Sequence, residues 1–397
     1  MLTCGVTEPE THGGTGFRAG LVSILAGAHF VHDIFSSLLA PLLPLLIEKL
    51  GLSLVQAGSL NVFTQLASFL NPWLGSWADR HALRRYLVVL SPGATGTLMC
   101  LMGLAPSYAI LAIFLLSAGF SVAGLHVAAP ALIRELSGRA GGRGMSFFMV
   151  AGELARTAGP LLAVPLVTWL GLEGLYKVIP VALLSSLLLW SRLRGVPEPA
   201  KSRSRVLVLW GRMRGVFVPV AGILMSRAFM AGALTTFLPT FLYGEGESLW
   251  MANVSLALLE LPGAAGALLS GTLSDRYGRR TVLLAAILAS PPLLLLVLAS
   301  HGPYRLMALG ALGFFTLSTT PVLMALTLER SGDAGAAANG TYMMISFAAR
   351  ALIVLVVGAM GDALGLRETY VWCALFGTLG LPFALMLPQD EPGGPIE

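Results

Sequence analysis

The chain has 397 residues, of which 56% are hydrophobic and only 11% charged. A soluble protein carries about a quarter charged residues, so this surface cannot be kept wet and its solvent is lipid. The net charge of +5 comes from basic residues gathered in short loops, a membrane-orientation signal rather than a nucleic-acid footprint.

Residues 1–18 read as a tail with Glu8 and Glu10 and no basic start, so no cleaved signal peptide is expected. About 20 apolar residues suffice to cross a bilayer. Such stretches fall at 19–47, 56–77, 86–105, 108–133, 144–170 and 175–192. A basic linker at 193–214 follows, then stretches at 215–242, 249–273, 281–300, 304–328, 336–363 and 369–387, and a tail at 388–397. The expected fold is an all-α membrane protein with twelve transmembrane helices in two six-helix bundles, 19–192 and 215–387. An even number of spans puts both termini on one side. That side holds 18 Lys and Arg, whereas the other holds four: Lys49, Lys177, Arg305 and Arg367. Positive loops stay inside, so both termini and the linker are expected in the cytoplasm.

Ionisable residues inside spans are expensive and mark function by default. On span 1, His29, His32, Asp33, Ser36 and Ser37 form one helical stripe. Asp33 beside His32 is the first candidate for proton coupling. His126 on span 4 joins them in an alternative reading, a transition-metal site made of His29, His32, Asp33 and His126. Span 5 carries Glu153 and Arg156, three apart and able to pair. Protonation of Glu153 would free Arg156 for substrate. Span 7 has Arg227 and Thr235, span 8 aligns Asn253 with Glu260, and span 11 aligns Asn339, Tyr342, Ser346 and Arg350. The expected substrate-binding set is Arg156, Arg227, Arg350, Glu260, His126 and Tyr342. Arginine stays charged when buried and grips acidic groups in a bidentate fork, which points to an anionic or zwitterionic substrate. The structural alternative is that Glu260 merely neutralises Arg227 or Arg350. Spans 3, 6, 9 and 12 carry no charge in their interiors. Cys4, Cys100 and Cys373 show neither metal nor disulfide spacing, and no nucleotide loop, nucleophile constellation or cofactor motif marks an enzyme.

One loop pattern occurs twice. Gly75-Ser76-Trp77-Ala78-Asp79-Arg80, ending in Arg84-Arg85, returns 196 residues later as Gly271-Thr272-Leu273-Ser274-Asp275-Arg276-Tyr277-Gly278-Arg279-Arg280. Arg134 and Arg330, each beside a Glu, share that offset. A single offset in a single topological setting indicates duplication. The repeated loop resembles the signature loop of the major facilitator superfamily. In the first copy His81 and Ala82 replace the usual aromatic and Gly, so a looser turn is expected there.

The resemblance implies two pseudo-symmetric bundles, with spans 3, 6, 9 and 12 facing lipid. It also implies a conformational latch made by Gly75, Asp79, Arg80, Arg134, Gly271, Asp275, Arg276 and Arg330. The two glycines would allow close helix approach, and Arg134 and Arg330 would partner the aspartates. Within the superfamily, His29-Phe30-Val31-His32-Asp33, Leu42-Leu43-Pro44-Leu45-Leu46, His126 and Gly159-Pro160-Leu161-Leu162 resemble the fosmidomycin-resistance-type branch. That likeness implies a proton-driven exporter, an antiporter of small polar anions, working as a monomer in a bacterial inner membrane with no cofactor. Glu153 and Arg156 stand where the branch would have smaller or uncharged residues. An uptake symporter and a metal-ion exporter are the alternatives.

Overall fold

The computed structural model describes residues 17–196, 210–330 and 335–387, and it is helical throughout these. Residues 1–16 and 388–397 of the tails and 197–209 of the linker lie outside the described residues, as do the side chains of Asp79 and Asn339. Eleven helical segments among the described residues are long and apolar enough to cross a membrane. They are Ala19–Leu50, Arg84–Leu104, Tyr108–Ser137, Arg143–Leu170, Glu173–Leu193, Gly215–Gly244, Leu249–Tyr277, Arg279–Ala299, Gly302–Glu329, Thr341–Leu364 and Leu366–Leu385. These are spans 1 and 3 to 12.

Span 2 is the exception, and the uninterrupted helix expected at 56–77 is not what forms. It is built from Leu54–Leu66, a 3-10 turn at Ala67–Leu70 and Asn71–His81. The last piece opens on Asn71-Pro72, where proline has no N–H to continue the ladder and disfavours helix at the residue before it. Two other spans break for a related reason. Span 1 is Ala19–Ser36 then Leu39–Leu50, with Pro41 just past the break. Span 10 is Gly302–Leu317 then Thr319–Glu329, with Pro321 just past it.

In the first half, span 1 packs against spans 3, 4, 5 and 6, and in the second half span 7 packs against spans 8, 11 and 12. The halves meet through spans 1 and 7, 2 and 11, and 5 and 8. Spans 3, 6, 9 and 12 present apolar side chains outward, among them Leu90, Leu184, Leu187, Leu288, Leu296, Trp372 and Leu375. That is the composition lipid contact requires. Helix contact is tightest where glycine removes a side chain. A Cβ on Gly313 would lie 2.0 Å from the Leu259 carbonyl oxygen, so spans 8 and 10 touch backbone to backbone.

The side away from the duplicated loops is sealed between spans 2 and 11. A Cβ on Gly358 would lie 2.6 Å from the Leu54 carbonyl oxygen. The Leu54 and Val55 N–H groups donate to the Asp362 carboxylate at 2.6 and 2.9 Å. A carboxylate in the last turn of its own helix is electrostatically misplaced, and the positive start of span 2 corrects this. Spans 2 and 11 are thus joined by a charge-assisted contact between the two halves.

The duplicated loops differ from expectation in three ways. Ala82 is not in a loose turn. It adopts the left-handed conformation (φ 54°, ψ 48°), and the Leu83 N–H donates to the Ala78 carbonyl at 2.9 Å. Gly278, 196 residues on, also has positive φ, at 88°. Gly75 faces span 4, where an added Cβ would lie 3.0 Å from Val127 Cγ1, but Gly271 faces open space. Asp275 pairs with Arg279 at 2.6 Å rather than with Arg330, and Arg279 also reaches Glu329 at 2.6 Å. Arg276 lies over the Tyr277 ring, and Arg80, Arg134 and Arg330 are exposed.

Candidate transport site

The polar stripe of span 1 turns inward against spans 3, 4 and 5. Its three ionisable groups are buried: His29 is 3% exposed, His32 0% and Asp33 7%. His32 Nδ1 lies 2.7 Å from Asp33 Oδ1, and His29 Nε2 lies 3.2 Å from Asp33 Oδ2. His126 Nε2 of span 4 stands 3.6 Å from Asp33 Oδ1 with its side chain 40% exposed. One carboxylate is therefore ringed by three imidazoles, each able to take a proton. Span 5 closes the cluster. The Phe148 carbonyl meets His29 Nδ1 at 2.8 Å, and its ring stacks on the imidazole at 3.8 Å.

Two residues absent from the sequence argument support this cluster. Thr95 Oγ1 of span 3 contacts His32 Nε2 at 3.0 Å and donates to Ser121 Oγ at 2.9 Å. Ser121 donates to the Ser91 carbonyl at 3.0 Å. Neither is charged; Thr95 lies on span 3, which carries no interior charge, and Ser121 lies on span 4 five residues before His126.

Arg156 is the centre of a second group. It pairs with Glu153 one turn earlier on span 5, as the spacing predicts. Its Nε also lies 3.5 Å from Glu260 Oε2 on span 8. Glu260 therefore joins the first half to the second, and its charge also acts on Arg350 without a direct ion pair. Arg227 and Arg350 have carbonyl and hydroxyl partners. Arg227 Nε donates to the Thr316 carbonyl at 3.3 Å, and Arg350 Nη2 donates to Thr235 Oγ1 at 3.0 Å. Arg350 Nε is buried without a hydrogen-bond partner. Tyr342 is buried and gives its hydroxyl to the Thr320 carbonyl at 3.3 Å, so in this conformation it does not face open space. Span 8 also sends Asn253 Nδ2 to the Pro41 carbonyl of span 1 at 3.3 Å.

Asp33, His29, His32 and His126 thus stand together, and Glu153, Arg156 and Glu260 stand together beside them. An open hollow of about 590 Å³ lined by Leu45, Lys49, Val167 and Leu249 lies away from both groups.

Comparisons with known proteins agree on the family. Residues 25–352 and 251–396 match the model of the Major Facilitator Superfamily. The fosmidomycin resistance protein of Escherichia coli is 25% identical, over 98% of this chain and 97% of its own. A multidrug resistance protein of Yersinia enterocolitica is 29% identical, over 78% of this chain and 76% of its own. Among solved structures, a bacterial homologue of the human lysosomal transporter Spinster aligns with a TM-score of 0.78 at 17% identity, covering 94% of this chain and 97% of that one. Its likeness establishes the fold. The chain is therefore a multi-pass membrane transporter for a small molecule, and it belongs to the Major Facilitator Superfamily.

Proposed function

We propose that the protein is a proton-coupled exporter of a small anionic or zwitterionic organic compound, exchanging cytoplasmic substrate for external protons by alternating access. The observation that carries this reading is the adjacency of a buried carboxylate–imidazole cluster to an ion pair bridging the two halves. Asp33 with His32 receives the proton. Arg156, held between Glu153 and Glu260, is the charge that substrate competes for, and Arg227 and Arg350 offer hydrogen-bond forks held by carbonyl and hydroxyl oxygens. An anion entering between Arg156 and Glu260 weakens the bridge between the halves, and Glu153 takes a proton when Arg156 turns to the substrate. Sites at the repeat interface near mid-bilayer are a general property of this architecture.

Export is favoured by relatives named for resistance to fosmidomycin and to multiple drugs. The 18-to-four distribution of basic residues supports a cytoplasmic position for both termini. The duplicated loops then lie on the cytoplasmic face as a latch, with Asp275, Arg279 and Glu329 as its described ion pairs. The monomer is the working unit.

The test is flux in proteoliposomes. A panel of small organic anions, beginning with the compound the E. coli relative is named for, is first scored by thermal shift. Inside-out vesicles with an acid lumen should accumulate the hits, and the double variant Asp33→Asn, Glu153→Gln should not. Full coupled accumulation in that variant would end the proton reading. Accumulation only with the gradient reversed would make the protein an uptake symporter.

A further inference from the structure

We propose that His29, Asp33 and His126 form a binding site for a borderline transition-metal dication such as Zn²⁺ or Co²⁺. The direction of one hydrogen bond fixes the tautomer of His29. A carbonyl only accepts, so His29 Nδ1 carries the proton in its 2.8 Å contact with the Phe148 carbonyl. A neutral His29 then turns the lone pair of Nε2 into the cluster. That nitrogen is buried and without a hydrogen-bond donor, and it faces Asp33 Oδ2 at 3.2 Å. Two electron-pair donors at this distance need a cation between them, a proton or a metal ion.

The remaining geometry suits a metal ion. Bonds of about 2.1 Å to imidazole nitrogen and carboxylate oxygen put tetrahedral donors about 3.4 Å apart. The separations to the two oxygens of the Asp33 carboxylate are 3.2 Å from His29 Nε2 to Oδ2 and 3.6 Å from His126 Nε2 to Oδ1, so each imidazole faces its own oxygen. One ligand atom from each of the three residues lies within 4.8 Å of the others. The outer shell follows the usual pattern, in which a ligand histidine gives its second N–H to a carbonyl and the ligand carboxylate is held by another group. Phe148 supplies that carbonyl, and His32 Nδ1 holds Asp33 Oδ1 at 2.7 Å. His32 thus acts as a positioning residue.

Span 5 leaves the space open. A Cβ on Gly152 would press on the His29 ring, 2.7 Å from Cε1 and 3.1 Å from Nε2, and would lie 3.2 Å from Asp33 Oδ2. His126 is partly exposed, which leaves a coordination position for water or an anion. The nearby positive charge of Arg156 is compensated by Glu153 and Glu260. Ligands of this kind, two imidazoles and a carboxylate, suit Zn²⁺ or Co²⁺ over Mg²⁺ or Ca²⁺.

Binding does not depend on the proton role proposed above, but its consequence does. Metal and proton occupy the same carboxylate, so the metal should stop pH-driven flux. The test is a titration of Co²⁺ into the purified, tag-free full chain in detergent at neutral pH, read by visible absorption and by metal content. The expected result is one Co²⁺ per chain with the intense bands of a low-coordinate nitrogen–oxygen site. His29→Ala and His126→Ala should each weaken binding at least about tenfold, a loss that even outer-shell partners can cause. His126→Ala removes a partly exposed side chain and should leave the fold intact. Gly152→Ala keeps every ligand residue but displaces the His29 ring, and should also abolish binding. No stoichiometric Co²⁺ binding, or binding indifferent to His126→Ala and Gly152→Ala, overturns the site and leaves only a proton there. Co²⁺ binding without any effect on pH-driven flux would keep the site and remove the proton role of Asp33.

Discussion

At the loops the two halves are copies. Gly75 and Gly271, Asp79 and Asp275, and Arg80 and Arg276 stand 196 residues apart, and Ala82 takes a positive φ where its counterpart is Gly278. At the centre the same offset sets Met225 against His29, Phe229 against Asp33, Val322 against His126 and Thr64 against Glu260. The mechanical parts are duplicated and the chemical parts are divided. The first half holds the imidazole–carboxylate cluster, and the second half holds Arg227 and Arg350 among hydroxyls. The pair Arg156–Glu260 is where the two chemistries meet. A symmetric scaffold can rock about its centre while its two halves respond to different ligands.

This contrast can be broken at several points. The largest effect is expected where helix contact leaves no room. Gly313→Ala puts a Cβ against the Leu259 backbone, and overpacking of this kind costs about 3 kcal/mol or more when backbone must move. Folded yield by size-exclusion chromatography should collapse, whereas Gly271→Ala, facing open space, should express as wild type.

Cutting the bridge between the halves comes next. Glu260→Gln removes one partner of a half-exposed arginine and should cost about 1–2 kcal/mol, read as a lower melting temperature in detergent. Glu153 remains to hold Arg156, so the protein should still fold.

The seal between spans 2 and 11 sharpens the comparison, because spans 5 and 8 have only Leu166 at the position equivalent to Asp362. Asp362→Asn should weaken a charge–helix contact of about 1 kcal/mol. Spin-label distances between the outer ends of spans 2 and 11 should show a several-fold larger open population. Unchanged distances would mean that glycine packing alone closes that side. The smallest effect is expected at Ala82. Left-handed backbone costs a non-glycine residue about 1–2 kcal/mol, so Ala82→Gly should stabilise slightly, after glycine's own entropy is subtracted.

The twelve-span plan was legible because lipid demands an unbroken apolar length and puts a high cost on stray charge. The breaks at Ser37–Leu38, Ala67–Leu70 and Ser318 were less so. Pro41, Pro72 and Pro321 lie just beyond them, but Pro44, Pro130 and Pro160 stay inside helices, and sequence does not say which turn yields. The pair Glu153–Arg156 could be read from helical spacing. The pair Arg156–Glu260 could not, because its partners come from different halves and no periodicity links them. Thr95 and Ser121 were missed for a related reason, since a hydroxyl is cheap to bury and carries no signal until its partner is known. The positive φ at Ala82 was hidden because alanine rarely adopts it, although a glycine, Gly278, stands at the equivalent position of the second copy.

The central claim is that Asp33 couples proton movement to substrate movement. Its most direct test is a comparison of wild type and Asp33→Asn in the same proteoliposomes, using one compound that the panel shows to be carried. Two fluxes are measured: uphill accumulation under an acid lumen, and exchange of labelled for unlabelled compound at equal pH. Asp33→Asn should lose accumulation to the level of empty vesicles while it retains exchange. Uphill accumulation in Asp33→Asn equal to wild type would contradict the claim.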